Sequence, residues 1–336
     1  MLLTINEQKV VNIRMSSFSN TKVDFENEEF ERFLRTERGL KSESTIKNYQ
    51  SGLVKFEEFL LREDLEIEDV GKNEIKLLVA SLKEDLTDLT VSQYLTAIKK
   101  FYIYLDEEDE EEKITTPVGL IARNEYLDLN SVEHKKPSLS QDELRHLVNS
   151  ATSKRAEAML SLMASAGLRV REACQAKVSK LDLEERCLEL MTIKNDFGER
   201  KAYFDRRTRR VLNEYINGGF RDEYQHTDSD FIFLSKAYGQ YGSEKYLSVD
   251  RARQDFVSAV DNSDLQPEYQ EYSDGRKRST FTTHILRRSF CQHWIDNDGD
   301  LMSLRNQVGW ESLETAKNYI DDEATIEKRD KFGIDL

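Results

Sequence analysis

Phe281-Thr-Thr-His-Ile-Leu-Arg-Arg-Ser-Phe290, followed by Val308-Gly-Trp-Glu-Ser-Leu-Glu-Thr-Ala-Lys-Asn-Tyr319, is the stretch around which the chain is organised. Ile285, Leu286, Phe290 and Trp294 recur at helical spacing, and Thr283 stands where an N-cap is expected. His284 and Arg287 are then i and i+3, on one face of the first turn. A helix N-terminus that also carries an Arg suits a phosphate, because unpaired backbone N–H groups and a guanidinium converge there. A Tyr on a later short helix can share that seat as a nucleophile.

His-x-x-Arg alone is a weak signal, since a capped surface helix with a satisfied His reads the same way. Further residues in a fixed order change the weighing. Gly167-Leu-Arg-Val-Arg-Glu172 lies upstream, then Lys194 in a hairpin, then His284 and Arg287, then Gly309-Trp310, then Tyr319. In this order and spacing the chain from Ser138 onward resembles the catalytic domain of the tyrosine recombinase (phage integrase) family.

Acids outnumber bases by 64 to 49, a net charge of −15. Taken alone that argues against a nucleic-acid partner, whose phosphates require a basic contact surface. The distribution reverses the argument. Residues 276–288 hold five bases and no acid, and residues 194–210 hold seven bases against three acids, whereas 106–112 is an unbroken acidic run. A cationic cleft on an acidic body fits a high-salt cytoplasm, where charges are screened within a few ångström. Three cysteines without a CxxC spacing indicate a reducing compartment, and five scattered histidines show no metal-ligand pattern. With no long apolar run or signal peptide, the expectation is a soluble cytoplasmic protein with no membrane partner.

The expected architecture is mainly α. Residues 1–22 read as a flexible arm and 23–110 as a four-helix bundle. The bundle's helices are a short one ended by Gly39, then Ser42–Arg62, Asn73–Leu82 and Thr90–Leu105, all with apolar stripes in phase. Residues 111–137 read as a linker. From 138 to 336 a second, α-rich domain is expected, opened by a Ser140/Glu143 capping box and carrying one small antiparallel sheet (Cys187–Ile193 with Lys201–Phe204, turning at 195–198). The bundle resembles the family's SAM-like core-binding domain, which clamps the face of the duplex opposite the catalytic domain. Lys41, Lys47, Lys55, Lys99 and Lys100 there, with Arg276, Lys277 and Arg278 ahead of the key helix, are candidate DNA contacts.

The resemblance implies a site-specific recombinase or integrase that cuts and rejoins double-stranded DNA without ATP, metal or other cofactor. Tyr319 is the implied nucleophile, forming a 3′-phosphotyrosyl link. Arg169 and Arg287 are implied to hold the non-bridging oxygens, for which a planar fork suits better than an ammonium. His284 handles the phenolic proton, Lys194 protonates the leaving 5′ oxygen, and Trp310 takes a place where most members have His. Glu172 supports the site. The hairpin at Lys194 is longer than the family's usual one, with Lys201 also within reach. The implied partners are DNA and three further copies in a synaptic tetramer, from a monomer or dimer when free. The segment from Asp321 onward is a candidate for docking on a neighbouring copy. Two alternatives stand beside this reading: a type IB topoisomerase or telomere resolvase, and a non-catalytic DNA-binding derivative of the fold.

Overall fold

The computed structural model describes residues 25–108, 126–127, 137–191, 199–224, 228–235, 246–267, 269–271 and 277–319. Two compact units emerge, Met1–His134 with Glu271–Lys277, and Lys135–Gln270 with Arg278–Leu336.

In the first unit, α1 (Glu28–Arg38), α2 (Glu43–Glu63), α3 (Lys72–Asp85) and α4 (Asp88–Glu108) enclose one core. The Asn27 side chain accepts from the Glu29 N–H to start α1, and Ser42 accepts from the Thr45 N–H to start α2. The helices meet through aromatic side chains at the phased positions: Phe30 and Phe101 have ring centroids 4.6 Å apart, and Phe33 lies 5.8 Å from Phe101. Tyr102 buries its ring and donates its hydroxyl to the Ile67 carbonyl at 2.8 Å. Glu57 is also buried, and it accepts the Asn27 N–H at 3.0 Å.

The second unit is built around α6 (Lys154–Ala166), whose Ala, Leu and Met side chains are almost all buried. Against it pack α5 (Gln141–Asn149), α8 (Arg206–Asn217) and α10 (His284–Asp296). Short α7 (Val170–Cys174) follows α6, α9 (Val249–Asp261) packs on α7, and α11 (Leu301–Val308) lies beside strand β3. The Ser140/Glu143 capping box forms as expected, with both reciprocal hydrogen bonds.

The sheet has the order β1-β2-β3, all antiparallel: β1 (Leu181–Asp182), β2 (Cys187–Met191) and β3 (Glu199–Tyr203). The β2/β3 pairing was legible, β3 begins two residues before the expected Lys201 and ends one before Phe204, and the two-residue β1 was not foreseen. Residues 192–198, with the expected turn and Lys194, lie outside the described residues. A second short hairpin, β4 (Tyr269–Glu271) with β5 (Lys277–Ser279), was also unforeseen.

Buried polar side chains pin the second unit. Ser289 Oγ accepts the Leu139 N–H at 2.7 Å while donating to the Ile285 carbonyl, and His293 Nε2 meets the Leu139 carbonyl at 2.9 Å. The segment entering α5 is thereby tied to α10. Arg155 and Asp255 form a buried ion pair at 2.9 Å, with Arg251 on the other carboxylate oxygen at 2.9 Å.

Candidate active site

Four pieces of chain converge at one end of the second unit: the α6–α7 turn, strand β3, the first turns of α10, and the segment from the end of α11 to Tyr319. Gly167 ends α6 in the left-handed region (φ 67°), which a side chain would strain, and a Cβ there would lie 2.6 Å from the Phe290 ring. The chain reverses at Gly167 and Arg169 becomes the N-cap residue of α7. In that position its backbone N–H donates to Glu172 Oε2 at 2.7 Å and its Nη1 to Glu172 Oε1 at 3.1 Å. The Gly-Leu-Arg-x-x-Glu pattern thus lets one carboxylate accept the free N–H at the helix start and also pair with the guanidinium of the same residue.

Arg287 is the largest fully buried side chain among the described residues. Its Nη1 donates to the Gly167 carbonyl at 2.8 Å and its Nη2 to the Val308 carbonyl at 2.7 Å. Both acceptors belong to helix C-termini, where carbonyls lack intrahelical partners and the helix dipole is negative. Two helix ends and Glu172, whose Oε2 is 3.8 Å from Nη1, therefore replace the water that this cation has lost. Burial, reinforced by the nearby Arg169, still lowers the Arg287 pKa to about 10 against the opposing effect of Glu172.

Glu172 is the hub. Its Oε1 also lies 3.1 Å from Arg200 Nη2, so three guanidiniums surround one carboxylate. Burial pushes its pKa upward, but Arg200 and Arg287, the Arg169 N–H and the Arg169 charge outweigh it, and the net value lies below the ordinary carboxylate range. One negative charge among three positive ones leaves the site cationic and suited to an anion.

Tyr319 ends a 3-10 segment, Leu313–Tyr319, and its half-buried ring stacks on Trp310 with centroids 5.5 Å apart and planes at 28°. Its phenol faces the buried Cys291 thiol. Burial and the thiol raise the phenol to about 12, against the opposing effect of Arg287 and Arg288. The proton therefore stays on the oxygen in this arrangement. Trp310 itself is 5 % exposed, so here the indole is a platform for the phenol.

Of the residues expected at the site, Arg169, Glu172 and Arg287 are in direct contact, and Trp310 and Tyr319 stack alongside. His284 is exposed at the first position of α10. Thr283 precedes it, as expected of the N-cap position, but has helical dihedrals and makes no side-chain capping bond. Lys194 and Arg276 fall outside the described residues, and Lys277 and Arg278 lie on β5. Lys201 is exposed and paired with Glu189 at 3.4 Å. In the first unit Lys41, Lys47, Lys99 and Lys100 are all exposed, but Lys47 is paired with Glu43 at 3.1 Å and Lys55 with Glu58 at 2.7 Å. Among the described residues no cluster of three or more His, Cys, Asp or Glu is disposed to hold a metal, and no helix is long and apolar enough to cross a membrane.

Two residues of the site were not singled out from the sequence. Arg200 touches Glu172 and donates to the Gln307 carbonyl. The Gln307 carboxamide accepts the Tyr203 N–H at 3.0 Å and donates to the Tyr203 and Ala166 carbonyls at 2.8 and 3.1 Å, bracing α11 against β3 and α6. The available signal was the alternation in β3, which puts Arg200 on the same face as Ala202 and Phe204.

Residues 137–325 match the model of the phage integrase family, and residues 28–109 match that of the phage integrase N-terminal SAM-like domain. The chain is 26 % identical over 311 residues to tyrosine recombinase XerD of Oceanobacillus iheyensis, covering 88 % of this chain and 93 % of that one. It is 25 % identical over 309 residues to tyrosine recombinase XerC of Anoxybacillus flavithermus, covering 88 % and 93 %. Among solved structures it is similar in fold to the Tn1549 transposon integrase in complex with transposon right end DNA (TM-score 0.67, 15 % identity, 91 % of this chain and 99 % of that one). The XerH site-specific recombinase in a post-cleavage complex with palindromic difH substrate is similar to the same degree (TM-score 0.67, 17 % identity, 95 % and 93 %).

Proposed function

The chain belongs to the phage integrase family, and on that premise we propose that it is a site-specific DNA recombinase acting through a 3′-phosphotyrosyl intermediate. The observation that carries the proposal is the cationic nest of Arg169, Arg200 and Arg287 around Glu172, with the Tyr319 phenol close enough to feel the Arg287 and Arg288 charges.

Tyr319 Oη attacks the scissile phosphorus, forming the O–P bond as the bond to the 5′ oxygen breaks. Arg169 and Arg287 hold the non-bridging oxygens, whose charge grows in the pentavalent transition state. The leaving 5′ oxygen takes a proton from Lys194 and departs as a hydroxyl. The phenol gives up its own proton with His284 as acceptor, since a phenol at about 12 is almost wholly protonated at neutral pH. A 5′-hydroxyl from another strand reverses each of these transfers, which makes rejoining the mirror of cleavage. Because the phenol rests on Cys291 and Trp310 while Arg287 is buried, attack requires the Leu313–Tyr319 segment to shift as DNA enters.

The functional assembly is a tetramer on two duplexes, and Lys41, Lys47, Lys99, Lys100 and Arg276 to Arg278 are assigned to the phosphate backbone outside the cleavage centre. The protein acts in the cytoplasm, and its acidic balance suits one of high salt. Recombination abolished by raising KCl to molar levels would remove that last assignment.

The decisive test is a nicked suicide substrate carrying the target site. The expected product is a covalent protein–DNA adduct whose modified peptide contains Tyr319, absent from Tyr319→Phe. An adduct that persists in Tyr319→Phe refutes the assignment of the nucleophile. Relaxation of a supercoiled plasmid lacking any target site would point to a type IB topoisomerase instead.

A further inference from the structure

We infer that Arg200 is a positioning residue for strand cleavage, holding Glu172 and the turn that leads to Trp310 so that Arg169, Arg287 and Tyr319 keep their places. The inference deepens the recombinase reading and rests on it.

Strand β3 points Lys201 and Tyr203 outward, and its inner face carries Arg200 and Ala202, with Phe204 just beyond the strand, the last two buried. Arg200 is only 10 % exposed, and a guanidinium on the core face of a strand is costly to bury unless it has partners. Its partners are those that matter for the site. Nη2 stands 3.1 Å from Glu172 Oε1, the oxygen that Arg169 Nη1 also uses at 3.1 Å. Nη1 donates to the Gln307 carbonyl in the last turn of α11. The Arg200 stem then fills the space beside Gly309, where a Cβ would come within 2.6 Å of Nε and 2.9 Å of Cδ. Gly309 is required there on two counts, the left-handed φ of 65° and the guanidinium lying across it.

One side chain therefore touches both the carboxylate shared by the two catalytic arginines and the chain entering Trp310. Two of its nitrogens, Nε and Nη2, lack a hydrogen bond of good geometry although buried, so Arg200 is held by charge at Glu172 and by one directed bond at Gln307. Removing it would leave Glu172 Oε1 to Arg169 alone. The exposed Arg169 guanidinium would then be drawn toward the carboxylate and away from the phosphate, and Gly309 would lose its neighbour.

The test is single-turnover adduct formation on the suicide substrate with Arg200→Lys, Glu172→Gln and the double variant, each assayed below its melting temperature. Lysine keeps the charge and most of the stem but cannot span Glu172 and Gln307 together. Cleavage by Arg200→Lys is expected to slow on the order of tenfold to a hundredfold, as for a small misplacement of catalytic groups, with DNA binding by gel shift unchanged. Because Arg200 acts through Glu172, the double variant is expected to be no slower than the slower single variant. A purely architectural Arg200 would lower the melting temperature and leave the rate of the folded enzyme unchanged. A Lys variant that cleaves at full rate, or losses that multiply in the double variant, overturn the inference alone. A wild type that forms no adduct overturns the recombinase reading and this inference with it.

Discussion

Replacing Glu172 by Gln removes the single negative charge from among three guanidiniums and keeps the shape of the side chain. In the native protein the carboxylate lies 3.1 Å from Arg169 Nη1, 3.1 Å from Arg200 Nη2 and 3.8 Å from Arg287 Nη1, and its side chain is 18 % exposed. Removing one partner of a buried ion pair costs about 3–5 kcal/mol because the other charge is left uncompensated. Arg169 is 47 % exposed and solvent screens its share, so the lower end, about 3 kcal/mol, is the expected loss. For a domain of roughly 150–250 residues that corresponds to a fall in Tm of about 6–12 °C. The pH dependence supplies a second signature. Glu172 is depressed below its ordinary value of 4.5, so its contribution is complete above that value and is lost as pH falls through the folded pKa. Melting followed by circular dichroism from neutral to acid pH should show the wild type and Glu172→Gln converging at the acid end. A variant that melts with the wild type at neutral pH, or one that keeps the wild-type acid limb, refutes the electrostatic account of the site.

Three other outcomes are expected. Asp255→Ala strands the buried Arg155 and frees Arg251, and should cost about 3–5 kcal/mol in a urea melt of the second unit; a loss below about 1 kcal/mol would show the pair to be replaceable. Glu57→Gln should stabilise the first unit at neutral pH. Burial, with Glu26 and Glu58, raises the Glu57 carboxyl despite the Asn27 and Glu26 N–H groups. Its stabilisation is therefore greatest in acid and declines as pH rises from the ordinary value of 4.5 through the folded one, and Gln keeps the acceptor for the Asn27 N–H without the charge. A variant whose stability follows the wild-type pH curve contradicts this. Gly167→Ala should cost about 2–4 kcal/mol, from the positive φ and from a Cβ 2.6 Å from Phe290, measured as a shift in denaturant midpoint at unchanged slope; a midpoint equal to wild type would mean the turn repacks.

How much of this was written in the chain differs from element to element. The helices of the first unit were legible because Phe30, Phe33, Leu53, Phe56, Leu95, Ile98 and Phe101 repeat at the helical period and all of them are buried. Their ends were less so: α3 and α4 extend beyond the expected limits, since the last turns are polar and carry no apolar signal. Arg169, Glu172 and the turn at Gly167 were readable because a carboxylate that caps the helix start three residues before it and a left-handed glycine are local devices, fixed by residues within one turn of each other. The order of Arg, His-x-x-Arg, Gly-Trp and Tyr named the family because order survives where identity is low.

Arg200 and Gln307 were not readable in that way. Arg200 is 28 residues from Glu172 in the chain and Gln307 is 107 from Arg200, and neither sits in a local pattern that announces a partner. The sequence by itself named Arg169, Glu172, Arg287, Trp310 and Tyr319 as candidates and the local turn at Gly167 that places the first of them. Tertiary structure alone decided that three guanidiniums converge on one carboxylate, and that two helix ends supply the carbonyls for the buried one. The physical reason is that a charge can be buried only where the folded chain gathers its counter-charge and acceptors, and those come from segments that local sequence does not relate.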